Sequence, residues 1–170
     1  MKPLLKLLTM LYAVVLAPTV IAATFVVNAT DDSNDGSGNA VHCSLREAIL
    51  AANATIPADT ISFAIPGPLD AEFVIRPLTA LPTISRPLTI DGSSEPGAAP
   101  NTDPLASNAQ IRIRLDGIDQ VGGFALLDVC ANLSVIRGLA IVRSSAGASV
   151  GIFVCEDITA NVIITGNFVG

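Results

Sequence analysis

Aromatic and basic residues are scarce in this 170-residue chain. Only 4% of the residues are aromatic and none is Trp, although 51% are hydrophobic. Ala, Val, Ile and Leu therefore carry the hydrophobicity, and a fraction this high excludes a disordered chain. Nine basic residues stand against 15 acidic ones, which gives a net charge of −6. This acidic balance argues against a nucleic-acid partner, which would require a basic face.

The N-terminal segment, residues 1–23, has the pattern of a secretory signal peptide. Lys2 and Lys6 precede an apolar run over residues 7–23 that ends in small residues. Either Val20-Ile21-Ala22 or Ile21-Ala22-Ala23 can serve as the cleavage triplet. We expect cleavage after Ala23, since the mature chain then opens with a strand. The alternative, an uncleaved membrane anchor, is disfavoured by the internal proline and the small exit residues.

Removal of residues 1–23 would take away both lysines of the chain. The mature protein would then contain seven arginines and no lysine against 15 acids, a net charge of −8. Such a surface is soluble and repels anionic membranes and DNA. No later stretch is long and apolar enough to span a bilayer, so we expect a secreted or cell-surface protein without a membrane span after cleavage.

The mature chain is rich in short strand patterns. Residues 57–104 contain nine of the 11 prolines, and none follows Pro104. The first half therefore consists of strands separated by rigid turns, and the second of β-rich runs divided by small polar residues. The predicted strands are 24–27, 60–65, 73–76, 88–90, 111–115, 124–129, 133–136, 139–142, 151–155 and 162–165. Within 111–115 the residues alternate, so Arg112 and Arg114 share one face.

Four of these strands end in the same way. Each ends in an aliphatic residue, then one polar residue and a glycine that can turn the chain sharply. The glycines are Gly92, Gly117, Gly138 and Gly166. Their spacing gives a period in the twenties, and such a period built from strands and tight turns is typical of a solenoid with one coil per repeat.

The predicted fold is therefore all-β: a right-handed parallel β-helix (a solenoid) with a short N-terminal capping α-helix, following a signal peptide. Inward-facing aliphatic side chains would form continuous rows, which also explains the scarcity of aromatic residues. The alternative is a β-sandwich with accidental spacing, but hairpin signals such as Asn-Gly are missing between the strands. The chain ends within a coil, and we expect further coils beyond Gly170.

One convincing helix pattern spans residues 43–53. Ser44 is suited to the N-cap position, and Glu47 three residues later completes a capping box. An apolar face is formed by Leu45, Ala48, Ile49 and Ala52. Asn53 can take the left-handed conformation that ends a helix. Because an open solenoid end exposes its core and strand edges, we predict that this helix covers the first coil.

The sequence CSLREAI at residues 43–49 makes the N-terminal region similar to the CSLREA domain. The resemblance begins with TFVVN at 24–28 and an Asp/Gly-rich stretch, and continues through DTISF at 59–63 to LTIDG at 88–92. It implies the opening of a secreted bacterial protein that continues into a right-handed parallel β-helix, and it implies no catalytic residues or cofactor. The family often has a Cys after an Asp-Gly pair before the motif, whereas this chain has Ser37 and Gly38.

The predicted organisation is thus a signal peptide over residues 1–23, a CSLREA-type cap with the first coils over 24–92, and incomplete β-helix coils over 93–170. Three cysteines leave at least one unpaired. Cys130 and Cys155 each follow a Val and recur within the same period, so they are predicted to stack on neighbouring strands, either as a disulfide or as two buried thiols. Cys43 at the helix start is predicted to be a buried small residue.

Asp31, Ser33 and Asp35 match the first three ligand positions of a calcium loop, but position 12 is His42 instead of Glu. The alternative, a solvated acidic turn, is favoured, and we expect no metal or cofactor. The sole histidine, His42, is expected to be structural or exposed.

Arg112, Arg114 and Asp116 resemble the outward-facing base of β-helix polysaccharide lyases, yet the sequence shows no acidic cluster on a neighbouring coil. Asp116 and Asp119 qualify as hydrolase acids by residue type alone. The predicted function is therefore a non-catalytic, exported module in surface display, adhesion or glycan binding, with a cell-surface glycan or protein as its partner. The alternative is the N-terminal part of a carbohydrate-active enzyme.

Overall fold

The computed structural model describes residues 21–36, 38–142, 150–156 and 161–170. The predicted signal peptide lies outside these residues except for its last three positions. Within the described ranges, no helix is long and apolar enough to cross a membrane.

The described chain forms one α-helix and eleven short strands. The helix α1 spans Leu45–Asn53. The strands are β1 (Thr24–Val27), β2 (Asp59–Phe63), β3 (Phe73–Ile75), β4 (Leu88–Asp91), β5 (Ile113–Asp116), β6 (Ala125–Val129), β7 (Val135–Arg137), β8 (Leu139–Val142), β9 (Val150–Val154), β10 (Ile163–Thr165) and β11 (Phe168–Val169). Ten strands were predicted within a few residues of these bounds, and β11 was missed.

The strands assemble into three parallel sheets. Sheet 1 has the order β1-β2-β4-β7-β10, sheet 2 the order β11-β8-β5-β3, and sheet 3 contains β6 and β9. Every pairing between these strands is parallel. The fold is thus mostly β with parallel sheets, and an antiparallel sandwich does not fit these pairings.

Aliphatic residues in register build the core. In sheet 1, Ile61 pairs with Ile90 and Ile90 with Ile136, and all three side chains are fully buried. In sheet 2, Ile75, Leu115 and Ile141 form the corresponding row, each 1% exposed. Alternation along each strand directs these side chains to one face and polar residues to the other.

The chain distance between paired strands is uneven in sheet 1. We call the sequence separation between two paired residues a step. The step from Ser62 in β2 to Asp91 has almost the same length as the step from Arg137 to Thr165. Between these two steps, Asp91 pairs with Arg137 only after 46 residues, which is longer by more than half. The excess is the long connection between β4 and β5, residues 95–112, which we call the insertion.

The prediction that four glycines occupy equivalent turns is wrong for one of them. Gly92, Gly138 and Gly166 each follow one of the in-register residues of sheet 1, whereas Gly117 follows β5 in sheet 2. Gly92 and Gly117 both open a 3-10 turn after an Asp whose carboxylate accepts the N–H two residues later. The same local turn therefore recurs in two sheets, which produced the misleading short period.

Two of the sheet 1 glycines, Gly92 and Gly138, leave no space for a side chain. A Cβ atom at Gly92 would lie 2.2 Å from the carbonyl oxygen of Gly138, and one at Gly138 would lie 2.4 Å from Ser93 Oγ. Gly138 also has a φ of 71°, which favours glycine.

The predicted helix and its capping box are present. The Ser44 hydroxyl accepts the Glu47 N–H at 3.2 Å, and the Glu47 carboxylate accepts the Ser44 N–H at 2.9 Å. The helix packs against β1 and β2, at the end of sheet 1 where β1 is the edge strand. Its buried face consists of Leu45, Glu47, Ala48, Ile49 and Ala52.

The predicted left-handed conformation of Asn53 is wrong. The helix ends with Ala54 in a right-handed conformation, at φ −82°. The Asn53 side chain instead donates to the carbonyl of Thr83 at 2.8 Å and accepts the N–H of Ser85 at 2.9 Å. These bonds to the segment before β4 hold the helix end in place.

Candidate functional site

The insertion stands against the turns that end three strands of sheet 1. Its two arms are joined where Ala99 and Gln110 exchange backbone hydrogen bonds of 3.0 and 2.8 Å. At its base, Arg112 donates to the carbonyls of Gly97 at 3.0 Å and Asp70 at 2.8 Å. These hydrogen bonds connect the base of the insertion to the segment before β3, so that the insertion lies along one side of the sheet.

The tip of the insertion is shaped by side-chain amides. Asn101 Oδ1 accepts the N–H groups of Asn108 at 3.0 Å and Asp103 at 3.3 Å. Asn108 Oδ1 in turn accepts the N–H of Thr102 at 2.8 Å. Since such local bonds substitute for a regular ladder, the tip has a defined shape despite its lack of strands.

Two adjoining solvent-open cavities lie between the insertion and the sheet. Their volumes are about 430 and 500 Å³. We call them together the insertion cleft. Polar residues in the first cavity are Ser93, Asn101, Gln110, Arg137 and Thr165; the second adds Glu72, Ser107, Asn167 and the ring of Phe168. The cleft could not be predicted from the sequence, because only the pairing of the strands brings residues 95–112 next to Arg137.

Several polar groups in the cleft are available to a ligand. Arg137 donates to Asp91 at 2.7 Å, and this hydrogen bond raises the pKa of Arg137. The guanidinium retains further N–H groups. The hydroxyls of Ser93 and Thr165 carry no hydrogen bond within the part of the chain that the structure describes, and the Phe168 ring is 59% exposed.

A second polar cluster lies beside strands β3 and β5. Arg114 donates to Asp116 at 2.9 Å and to Glu72 at 3.2 Å. Arg76 lies 3.8 Å from Asp116 and 4.0 Å from Asp119. The sequence showed no acidic cluster on a neighbouring coil, and the structure brings one acid, Glu72, beside Arg114 from the position just before the neighbouring strand. The parallel pairing of β3 with β5 brings Glu72 within reach from 42 residues away.

This cluster is a set of ion pairs. The Asp116 side chain is fully buried and its other oxygen accepts the N–H of Ile118. The hydrogen bond to Asp116 is the main cause of the raised pKa of Arg114. A general acid instead requires a carboxyl whose pKa is raised. The described carboxyls with that property, Glu95 and Asp128, owe it to burial and lie outside the cluster.

The acidic N-terminal turn closes on the helix. Asp31 accepts the Ser33 N–H at 2.9 Å, and His42 Nε2 lies 2.8 Å from Asp31. The hydrogen bonds from Ser33 and then His42 lower the pKa of Asp31 to about 2. The Asp35 N–H donates to the buried Glu47 carboxylate at 3.0 Å. Across the described ranges no three His, Cys, Asp or Glu side chains form a group able to hold a metal.

Cys130 and Cys155 form a disulfide, with their Cα atoms 4.9 Å apart. They directly follow β6 and β9, whose residues pair in the register that stacks the two cysteines. Of the two alternatives that the sequence left open, the structure has the bonded one. Cys43 is a buried free thiol, and burial raises its pKa.

No protein-family model, curated protein or solved structure matches this chain.

Proposed function

We propose that this chain is an exported right-handed parallel β-helix module whose first coil is capped by α1. Three observations support the proposal. All pairings between the described strands are parallel, the chain visits the three sheets in turn from β4 onwards, and two of the three steps from β2 to β10 in sheet 1 are almost equal in length. The similarity to the CSLREA domain points to the same architecture.

We further propose that the module binds a glycan in the insertion cleft without turning it over. The observation that carries this proposal is the insertion itself, which stands beside the outward row of Asp91, Arg137 and Thr165 and borders two adjoining open cavities. A groove across two joined cavities fits an extended chain ligand better than a compact metabolite.

The cleft chemistry suits carbohydrate. Sugar hydroxyls both donate and accept hydrogen bonds, as the Ser93 and Thr165 hydroxyls and the Gln110 amide do. The exposed Phe168 ring offers a flat apolar surface to the C–H face of a sugar ring. With the signal-peptide pattern and the acidic mature chain, this chemistry favours surface display or adhesion through a cell-surface glycan.

The test begins with an array of bacterial and host-surface oligosaccharides, followed by calorimetry on the ligand found. Arg137→Ala should weaken binding about tenfold, the effect of losing one charged hydrogen bond, and Thr165→Val should weaken it less. Arg86→Ala is the matched control, since Arg86 is exposed and outside the cleft. Equal affinities for Arg137→Ala and Arg86→Ala would remove the cleft from the proposal.

A second candidate function is carbohydrate cleavage. The observation in its favour is the cluster of Glu72, Asp116 and Asp119 with Arg76 and Arg114, because Glu72 also lines the second cavity. In this alternative, Arg114 would remove a proton from a uronate or two of the acids would serve a hydrolase.

Incubation with the ligand distinguishes the two functions. The binding proposal predicts that the oligosaccharide is recovered intact, with no new reducing ends and no unsaturated uronate. Product that disappears in the Glu72→Gln variant would establish the enzymatic alternative.

A further inference from the structure

The carboxylate of Asp59 is buried beside the predicted cleavage region. The residue is 1% exposed and begins β2. Its Oδ1 accepts the backbone N–H of Ala23 at 2.6 Å, and its Oδ2 accepts a hydrogen bond from the Thr55 hydroxyl. Within the described ranges, no cationic side chain lies within ion-pair distance of this carboxylate. A buried charge of this kind is costly unless a cation compensates it.

From residue 21, where the described chain starts, Ala23 is the first residue that makes a hydrogen bond. Besides its bond to Asp59, its carbonyl accepts the N–H of Thr60 at 2.9 Å, which continues the pairing of β1 with β2. Ile21 and Ala22 are exposed and carry no hydrogen bond in the described part of the chain. Among the described residues, the hydrogen-bonded chain therefore begins at the Ala22–Ala23 peptide bond.

We propose that an endopeptidase cleaves the chain between Ala22 and Ala23, an inference that rests on the proposed export. The new α-ammonium group of Ala23 then becomes the counter-ion of Asp59. Water hydrolyses the peptide bond, so Ala22 leaves as a carboxylate and Ala23 retains the nitrogen, which takes up a proton. The nitrogen that now donates to Asp59 as an amide then donates as a charged amine, a stronger hydrogen bond.

The sequence agrees with this position. Cleavage after Ala22 uses the triplet Val20-Ile21-Ala22, whose first residue is smaller than the Ile21 that cleavage after Ala23 would require. Cleavage after Ala23 would also discard both hydrogen bonds of Ala23 and leave Asp59 Oδ1 without the donor that it has in the structure. The inferred site thus lies one residue before the site expected from the strand start.

The first test is N-terminal sequencing of the full-length chain after export by a bacterial host. An exported protein that begins at Ala23 supports the inference. One that begins at Thr24 overturns it while the export proposal stands, and a chain that retains Met1 contradicts both.

The second test uses the absence of lysine after Lys6, which makes the α-amine the only amine of the mature chain. An acetylating reagent selective for amines should label native protein about tenfold more slowly than urea-unfolded protein, the factor that about 1.4 kcal/mol of ion pairing gives. Asp59→Asn should remove this protection, and acetylation should lower the urea midpoint of the wild type only.

Glu95→Gln is the matched control, since Glu95 is also buried and accepts a single backbone N–H, from Ile65. It should leave the labelling rate unchanged. Equal rates in native and unfolded wild type would overturn the inference, and this comparison holds even where Asp59→Asn fails to fold.

Discussion

The two ends of the strand stack differ although they continue the same rows. Ile61, Ile90 and Ile136 are fully buried, whereas Ile164, the next residue of the row, is 43% exposed. In sheet 2, Ile141 is 1% exposed and its neighbour in register, Val169, is 57% exposed. At the other end of the row in sheet 1, β1 places Phe25 beside Ile61, and Phe25 is partly buried against the core. What differs is the cover, because α1 packs on β1 and β2 while β10 and β11 lack a further strand in the described structure.

The comparison shows that burial in this fold comes from the neighbouring layer. An aliphatic residue in a row contributes fully only when a strand or helix lies on both sides of it, because the stabilisation scales with the area removed from water. The helix α1 therefore stabilises β1 and β2 more than its short length alone would suggest.

The largest effect should come from shortening side chains within one row. Ile90→Ala should lower the free energy of unfolding by about 3 to 4 kcal/mol, because it leaves a cavity in a closed core. Ile164→Ala should lower it by under about 1 kcal/mol, since nearly half of the residue is already in water. Urea unfolding of the two variants measures both values, and equal losses would contradict the comparison.

Removal of the disulfide should cause the next largest loss in the free energy of unfolding. The Cys130→Ala, Cys155→Ala double variant should lose about 3 kcal/mol, as expected for opening a loop of 25 residues. Cys43→Ala is the control for the loss of a thiol. The wild type should show the same loss in reductant, whereas the double variant should be insensitive to reductant.

A new cross-link at the capped end should add stability. A Cβ atom at position 38 would lie 2.9 Å from Cys43 Sγ, close to the spacing between a Cβ and the far sulfur of a disulfide, about 3 Å. Gly38→Cys should therefore pair with Cys43 and add up to about 2 kcal/mol. The gain should vanish in reductant and in the Gly38→Cys, Cys43→Ala variant.

Removing the N-cap should cost less than a core truncation. Ser44→Ala removes a hydroxyl that accepts the Glu47 N–H and donates to the Ser33 carbonyl. We expect a loss of about 1 to 2 kcal/mol, detected as a lower midpoint in urea. Ser85→Ala is a control, since only the backbone of Ser85 bonds to α1; a loss equal to that of Ser44→Ala would refute the capping role.

The smallest effect concerns His42. The hydrogen bond to Asp31 raises the pKa of His42 above 6.5. Protonated His42 therefore stabilises the fold below its unfolded pKa, and this contribution is lost as the pH rises through the folded value. Asp31→Asn should return the pKa of His42 towards 6.5 in an NMR titration, whereas Asp103→Asn should not change it.

Local chemistry was readable from the sequence, and long-range placement was not. The capping box follows from Ser44 and Glu47 alone, and the aliphatic alternation fixes which face of β5 is buried. Gly117 was misplaced because an Asp-Gly turn has the same local sequence in either sheet. The long step in sheet 1 is caused by residues 95–112. Their composition predicts a loop, but it does not predict which sheet the loop lies beside.

The candidate sites divide in the same way. Stacking of Cys130 and Cys155 was predicted from equal spacing because no insertion separates them. The cluster around Arg114 required the pairing of β3 with β5, and the insertion cleft required the pairing of β4 with β7. Neither pairing leaves a short-range signal in the chain.

The central claim is that successive layers stack in parallel, with the insertion looping out between two of them. Nuclear Overhauser contacts among selectively labelled isoleucines test it directly. We predict backbone contacts for Ile61 with Ile90, Ile90 with Ile136 and Ile136 with Ile164, and none for Ile61 with Ile136. Absence of the contact between Ile90 and Ile136, or close Hα–Hα contacts of antiparallel strands, would contradict the account.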